Sequence, residues 1–256
     1  MIQLLSGLLI FPISLLALNY VRKRHRELLA YRNHLVEADV PWSLMLMIVL
    51  SVAFIPLLPG LNMYLAALMP FLIVLGAIMV FLSQRIDIEQ LWIGGKLPYL
   101  FVLKWMIIIY LALPLPMALL AALSTLILHF VGIETDAQDT VQHFLTLENT
   151  EDYLSFVIYA CAIAPVLEEI FFRGFLFPIM KKRAGSLFAY LVTAILFGAV
   201  HGHLPSFIPL SFLGLVLAWL YDASGRLWLS VLLHALFNSI SLALLFVLKM
   251  MGILTL

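Results

Sequence analysis

The chain of 256 residues is 64% hydrophobic and 11% charged, with a mean hydropathy of +1.12, against the roughly 25% charged of an average soluble domain. Fourteen Lys and Arg balance fourteen Asp and Glu, so net charge advertises neither nucleic acid nor a polycationic partner. The single cysteine, Cys161, excludes an intramolecular disulfide and a thiolate metal cluster, and in its apolar helical setting it reads as packing.

These bounds predict an all-α polytopic integral membrane protein, with room for about eight transmembrane helices at about 20 residues each. Residues 2–20 are apolar and followed by Arg22, Lys23 and Arg24. The positive charge lies on the wrong flank for a signal peptide and no small-residue cleavage site follows, so the stretch reads as a retained first span. A basic connector, 21–42, precedes spans at 43–61 and 63–82, divided by the turn signal Pro59-Gly60-Leu61-Asn62. A polar connector, 83–99, leads into 100–130, too long for one upright span. Pro114 and Pro116 predict that it is kinked and tilted. Residues 131–150 carry Glu134, Asp136, Asp139 and Glu148 but no Lys or Arg, and Val141, Phe144, Leu145 and Leu147 make the face of a short interfacial helix. Four further spans are predicted at 152–180, 186–202, 205–221 and 227–248.

Across eight spans the loops alternate sides. The basic connectors 21–42, 83–99, 181–185 and 222–226 then all share one side, cytoplasmic by the positive-inside rule, with the acidic connector and both termini opposite. Lys249 alone breaks the pattern, and a terminal Lys can snorkel to the interface. The expected organisation is a four-helix N-terminal region over 1–130, a non-cytoplasmic connector over 131–150, and a C-terminal core over 151–256. Short loops and compact length point to a bacterial inner membrane. No internal repeat of the transporter kind is evident.

Polar groups that lipid would reject concentrate in the last four spans: Glu168, Glu169, Arg173, His201, His203, His234 and Asn238. An unpaired charge at a helix centre costs on the order of 2.5 to 3.5 kcal/mol even on lenient scales. Glu169 and Arg173 are four apart and can pair on one face, whereas Glu168 sits about 100° round the helix. Pro165 removes a backbone donor one turn before Glu168, which predicts an unpaired Cys161 carbonyl and a bend. His234 and Asn238, four apart, aim two donors the same way. At about 1.5 Å per residue from their basic span ends, Glu168, His201, His234 and Asn238 all fall in the middle to cytoplasmic half. Each has a plain structural reading as well. Glu169 with Arg173 is an intrahelical pair, Phe197 is packing, His203 is an inert span-end residue, and Asn238 is interhelical glue.

Taken together, Glu168, Glu169 and Arg173 in E-E-x-x-x-R, Phe197 and His201 in F-x-x-x-H, and His234 and Asn238 in H-x-x-x-N resemble the CAAX-protease and bacteriocin-processing family, the Abi-type intramembrane proteases that include the eukaryotic prenyl-protein endopeptidase. The resemblance covers about residues 150–242. It implies that Glu168 and His201 hold and activate a water, that His234 and Asn238 stabilise the oxyanion, and that Glu169 and Arg173, with Phe197, support the site. A carboxylate in a dehydrated setting suits a general base, and two preset donors suit an oxyanion hole.

A metal is the mechanistic rival, since Glu168, His201 and His234 could form a zinc site with one open position. No H-E-x-x-H is present, and a metal-independent, glutamate-type reaction is the favoured expectation. The expected partners are the bilayer and a membrane-embedded or lipid-anchored peptide, with no nucleic acid. The alternative is a non-catalytic peptide- or lipid-binding immunity protein on the same fold. A proton-coupled transporter would also use intramembrane Glu and His.

Overall fold

The computed structural model describes residues 12–24, 76, 98–134 and 136–254. The predicted spans at 43–61 and 63–82 and most of the connectors 21–42 and 83–99 lie outside the described residues. Among the described residues every regular element is helical: α1 over 12–24, α2 Tyr99–Ala112, α3 Pro114–Phe130, α4 Asp139–Thr146, α5 Thr150–Ala184, α6 Ser186–Ala199, α7 Leu204–Ser224 and α8 Leu227–Met250. Among the described residues four stretches are long and apolar enough to cross a membrane: Leu100–Phe130, Thr150–Ala184, Leu204–Ser224 and Leu227–Met250. Leu100, Leu119, Phe130 and Leu187 are exposed, an apolar exterior that fits lipid and not water.

Local chemistry accounts for the helix ends. Proline at 114 denies the Tyr110 carbonyl its usual donor, and the Leu113 N–H is shared between Ile109 O and Tyr110 O at 3.1 and 3.2 Å, so the predicted kink falls at Leu113. At the start of α5, Asn149 Oδ1 accepts from the Asp152 N–H at 2.8 Å, an N-cap with Glu151 and Asp152 in the first turn. The same helix ends on Lys181, Lys182 and Arg183 before Gly185 at φ +84°. Gly225, at φ +65°, closes α7.

Helix α6 is shorter than the span predicted over 186–202. It stops at Ala199 after 14 residues, and His201 lies in the turn before Gly202 at φ +63°. Pro205, in the first turn of α7, prevents the two helices from fusing.

The 131–150 segment holds the short helix α4. Its apolar side packs on the helices around it: Phe144 and Leu147 are buried with Leu245 of α8, and Val141, Leu145, Tyr153 and Phe156 pack around them. Lys249 likewise turns inward. Its Nζ donates to Leu147 O at 2.9 Å and to the Tyr153 hydroxyl, and lies 5.1 Å from the centre of the Tyr153 ring.

The core is formed by α2 and the C-terminal helices. Trp105, Phe171, Phe172, Phe175, Phe177, Phe197, Leu217 and Leu233 are among its members. Helix α7 is central, touching α3, α5, α6 and α8. Glycine permits its closest approaches. A Cβ on Gly198 would lie 2.2 Å from Ser211 Oγ and 2.6 Å from Phe207 O, and one on Gly214 would lie 3.0 Å from Phe197 Cβ. Where α5, α6 and α7 meet beyond the core, buried Asp222 receives Lys181 Nζ and, at 2.7 Å, the Tyr190 hydroxyl.

Candidate functional site

Helix α5 is not a uniform α-helix. It widens to π geometry over Tyr159–Ile163, returns to α over Ala164–Glu169, and widens again over Ile170–Leu176. The two glutamates therefore sit on a short α turn between two π stretches, a feature common at functional sites.

Neighbouring in sequence, they face different surroundings. Glu169 is fully buried: its Oε1 accepts from Arg173 Nη1 at 2.7 Å and from His234 Nδ1 at 3.0 Å. Arg173, also 0% exposed, extends its other arm to Gly214 O at 2.7 Å and lies over the Phe197 ring, 4.7 Å from its centre. The side chain of Glu168 is 23% exposed, and its Oε2 lies 3.9 Å from His234 Nε2. That oxygen is itself buried and, among the described residues, accepts no hydrogen bond.

The ring chemistry follows from the partners. Glu169 is paired with Arg173, and a carboxylate can only accept, so His234 Nδ1 carries a proton and turns Nε2 toward Glu168. His201 Nδ1 lies 2.7 Å from Phe197 O. A carbonyl can only accept, so Nδ1 again carries the proton, and the neutral ring keeps Nε2 as an acceptor. That bond also satisfies one of the open carbonyls at the end of α6.

Phe197 joins these parts. Fully buried, its ring centre lies 5.1 Å from that of His201, 5.4 Å from that of His234 and 5.3 Å from that of Phe172. Asn238 projects toward α5 like His234, one turn further along, and its Nδ2 donates to Ala160 O at 2.8 Å. The sequence-predicted residues thus gather around one locus, Glu168, Glu169 and His234 directly and His201 through Phe197, with Asn238 beside the first π stretch.

Two of the plain readings gain content. Glu169 is more than a staple within its own helix, because it holds His234 of α8. His203 bridges two segments, accepting from Ser206 Oγ at 2.7 Å on Nδ1 and donating to Asp136 O at 2.9 Å from Nε2. Gly214 was not singled out from the sequence. A small residue inside an apolar helix is the signal that could have found it. Among the described residues no group of three or more His, Cys, Asp or Glu is arranged to hold a metal ion.

The model of the Type II CAAX prenyl endopeptidase Rce1-like family matches residues 150–240. The similarity is to this segment of the chain. It spans α5, α6, α7 and the first part of α8, and includes every residue of the cluster described above. A protein of Bacillus subtilis (strain 168) named "Putative membrane peptidase YdiL" is 30% identical over 83 residues, 32% of this chain and 34% of that relative. The chain thus spans about a third of that relative's length. No solved structure matches. Residues 150–240 are thus similar to that family, and the long apolar helices are those of an integral membrane protein.

Proposed function

We propose that the chain is an intramembrane endopeptidase that hydrolyses a peptide bond in a membrane-tethered or transmembrane peptide. The observation that carries this reading is the Glu168 carboxylate. It lies in a largely apolar helix, with one buried oxygen that no described residue satisfies, opposite His234 and within an Rce1-like segment.

In this mechanism Glu168 accepts a proton from a water molecule as the water attacks the scissile carbonyl carbon. His201 orients that water through its acceptor Nε2, its other nitrogen being engaged by Phe197 O. The carbonyl oxygen becomes an oxyanion, met by the His234 ring, which Glu169 holds through Nδ1, and by the Asn238 amide. Collapse breaks the C–N bond, and Glu168 returns its proton to the leaving nitrogen, giving a carboxylate and an amine. Glu169 and Arg173 hold His234 and Phe197 in place. No step is routed through a metal.

A peptide ending in a prenylated C-a-a-X sequence is the first substrate to try, on the strength of the family description. With a farnesylated peptide in proteoliposomes, Glu168→Gln and His201→Ala should reduce turnover by on the order of 100-fold or more while the protein stays folded. Wild-type-like turnover by either variant refutes the mechanism. Saturable peptide binding by the wild type with no product formed would instead favour the non-catalytic reading.

A further inference from the structure

Pro165 sits one turn before the glutamates, and the carbonyl it frees differs from the one that simple helix counting gives. In a regular α-helix the missing Pro165 N–H would orphan Cys161 O. Here the Ala164 N–H closes five residues back, on Tyr159 O. In that wider register the next closure would join residue 165 to Ala160 O, and proline has no hydrogen to supply. Ala160 O therefore loses both of its backbone donors: Ala164 N–H is engaged elsewhere and Pro165 N–H does not exist. Into this position comes Asn238 Nδ2, from α8, at 2.8 Å.

We propose that Pro165 is a positioning residue for the site: by lacking an N–H it reserves the Ala160 carbonyl for Asn238 and so fixes the direction in which that side-chain amide presents its remaining hydrogen. A primary amide has two N–H donors. One bond to a rigid backbone acceptor settles the orientation of the group, and the second donor is then held in one place without help from a bound ligand. The π stretch is the device that lets a proline serve an acceptor on a neighbouring helix, because it moves the open carbonyl to the residue that Asn238 reaches. The kinetic consequence rests on the protease reading, whereas the hydrogen bond and its dependence on Pro165 do not.

The discriminating variant is Pro165→Ala. It supplies the absent hydrogen, and Ala160 O gains a backbone donor in either register: the N–H of residue 165 if the π stretch persists, or the Ala164 N–H if the helix reverts to α. Asn238 must then share this acceptor with a backbone donor, which weakens and redirects its bond, while the substitution also removes the ring methylenes of the buried Pro165. A purely structural proline predicts that stability and activity move together. The positioning role predicts that they separate: kcat falls by about 10- to 100-fold, as for a slightly misplaced catalytic group, with KM unchanged within about twofold and thermal stability at or above that of wild type.

An activity-independent readout uses the full-length protein in nanodiscs with 15N-labelled asparagine, the Asn238 signal being identified by its loss in Asn238→Asp. One Asn238 amide hydrogen should exchange slowly in the wild type and lose that protection in Pro165→Ala. Unchanged protection overturns the hydrogen-bond argument, and wild-type kcat in Pro165→Ala overturns the positioning role. If the wild type cleaves no peptide, the protease reading fails, while the exchange measurement still decides whether Pro165 reserves Ala160 O for Asn238.

Discussion

Glu169 and Arg173 allow stability and chemistry to be separated. Both side chains are 0% exposed and their closest atoms lie 2.7 Å apart, so removing one partner leaves a buried charge without its counterion. Breaking such a pair costs about 3–5 kcal/mol. Among the described residues, in Glu169→Leu the guanidinium keeps its hydrogen bond to Gly214 O and the aromatic faces of Phe172 and Phe197. In Arg173→Met the carboxylate keeps its hydrogen bond from His234. Each single variant should lower the melting temperature by on the order of 10 °C in detergent, taking a few degrees per kcal/mol for a chain of this size. The double variant removes both charges and should recover most of the loss, since an apolar replacement of a buried pair is often neutral or stabilising. Turnover should not recover with it, because His234 has lost the acceptor that fixes its ring. The assay is a double-mutant cycle in melting temperature alongside peptide cleavage in the same preparations. Additive losses would refute the pairing argument, and a double variant with wild-type turnover would refute the dependence of His234 on Glu169.

Gly198→Ala should destabilise more than Gly214→Ala, because its Cβ would meet the Phe207 backbone oxygen at 2.6 Å, whereas that of Gly214 meets Phe197 Cβ at 3.0 Å; thermal denaturation of the two variants checks the order. Gly214→Ala should nonetheless reduce turnover, since the group it displaces is the ring against which His201, His234 and Arg173 lie, and unimpaired cleavage would show that the Phe197 position is not critical. Lys249→Met removes the donor to Leu147 O and Tyr153 Oη. It should cost about 1–3 kcal/mol and speed proteolysis between Val131 and Asn149; an unchanged nicking rate would rule out this tether. Stoichiometric metal in the purified protein, with chelation abolishing cleavage, would overturn the side-chain-only mechanism, whereas full activity in chelator is the expected result.

Class and locus were both legible before folding. A sequence this apolar cannot hide its charges in water, so the few that remain inside the spans stand out: Glu168, Glu169, Arg173, His201, His234 and Asn238. Helical spacing alone shows that Glu169 can reach Arg173 and that His234 and Asn238 share a face, because those relations lie within four residues of one chain segment. The kink near Pro114 is equally local, as it follows from one missing hydrogen.

Relations between helices were not legible in this way, because side-chain spacing along one helix says nothing of its rotation against the next. The hydrogen bond from His234 to Glu169, the carbonyl of Gly214 that receives Arg173, and the placement of both histidines against Phe197 all depend on how α5, α6, α7 and α8 are turned toward one another. The π stretches are a second example: in the wider register the carbonyl that Pro165 leaves open is that of Ala160, one residue from the Cys161 carbonyl that regular helix counting gives. The amino-acid sequence by itself thus determined a membrane-embedded helical protein with its polar chemistry in the C-terminal half, since hydropathy and short-range spacing are properties of the chain. Only the tertiary structure decided which nitrogen meets which oxygen, since those distances belong to helices that are far apart in sequence and meet only after packing.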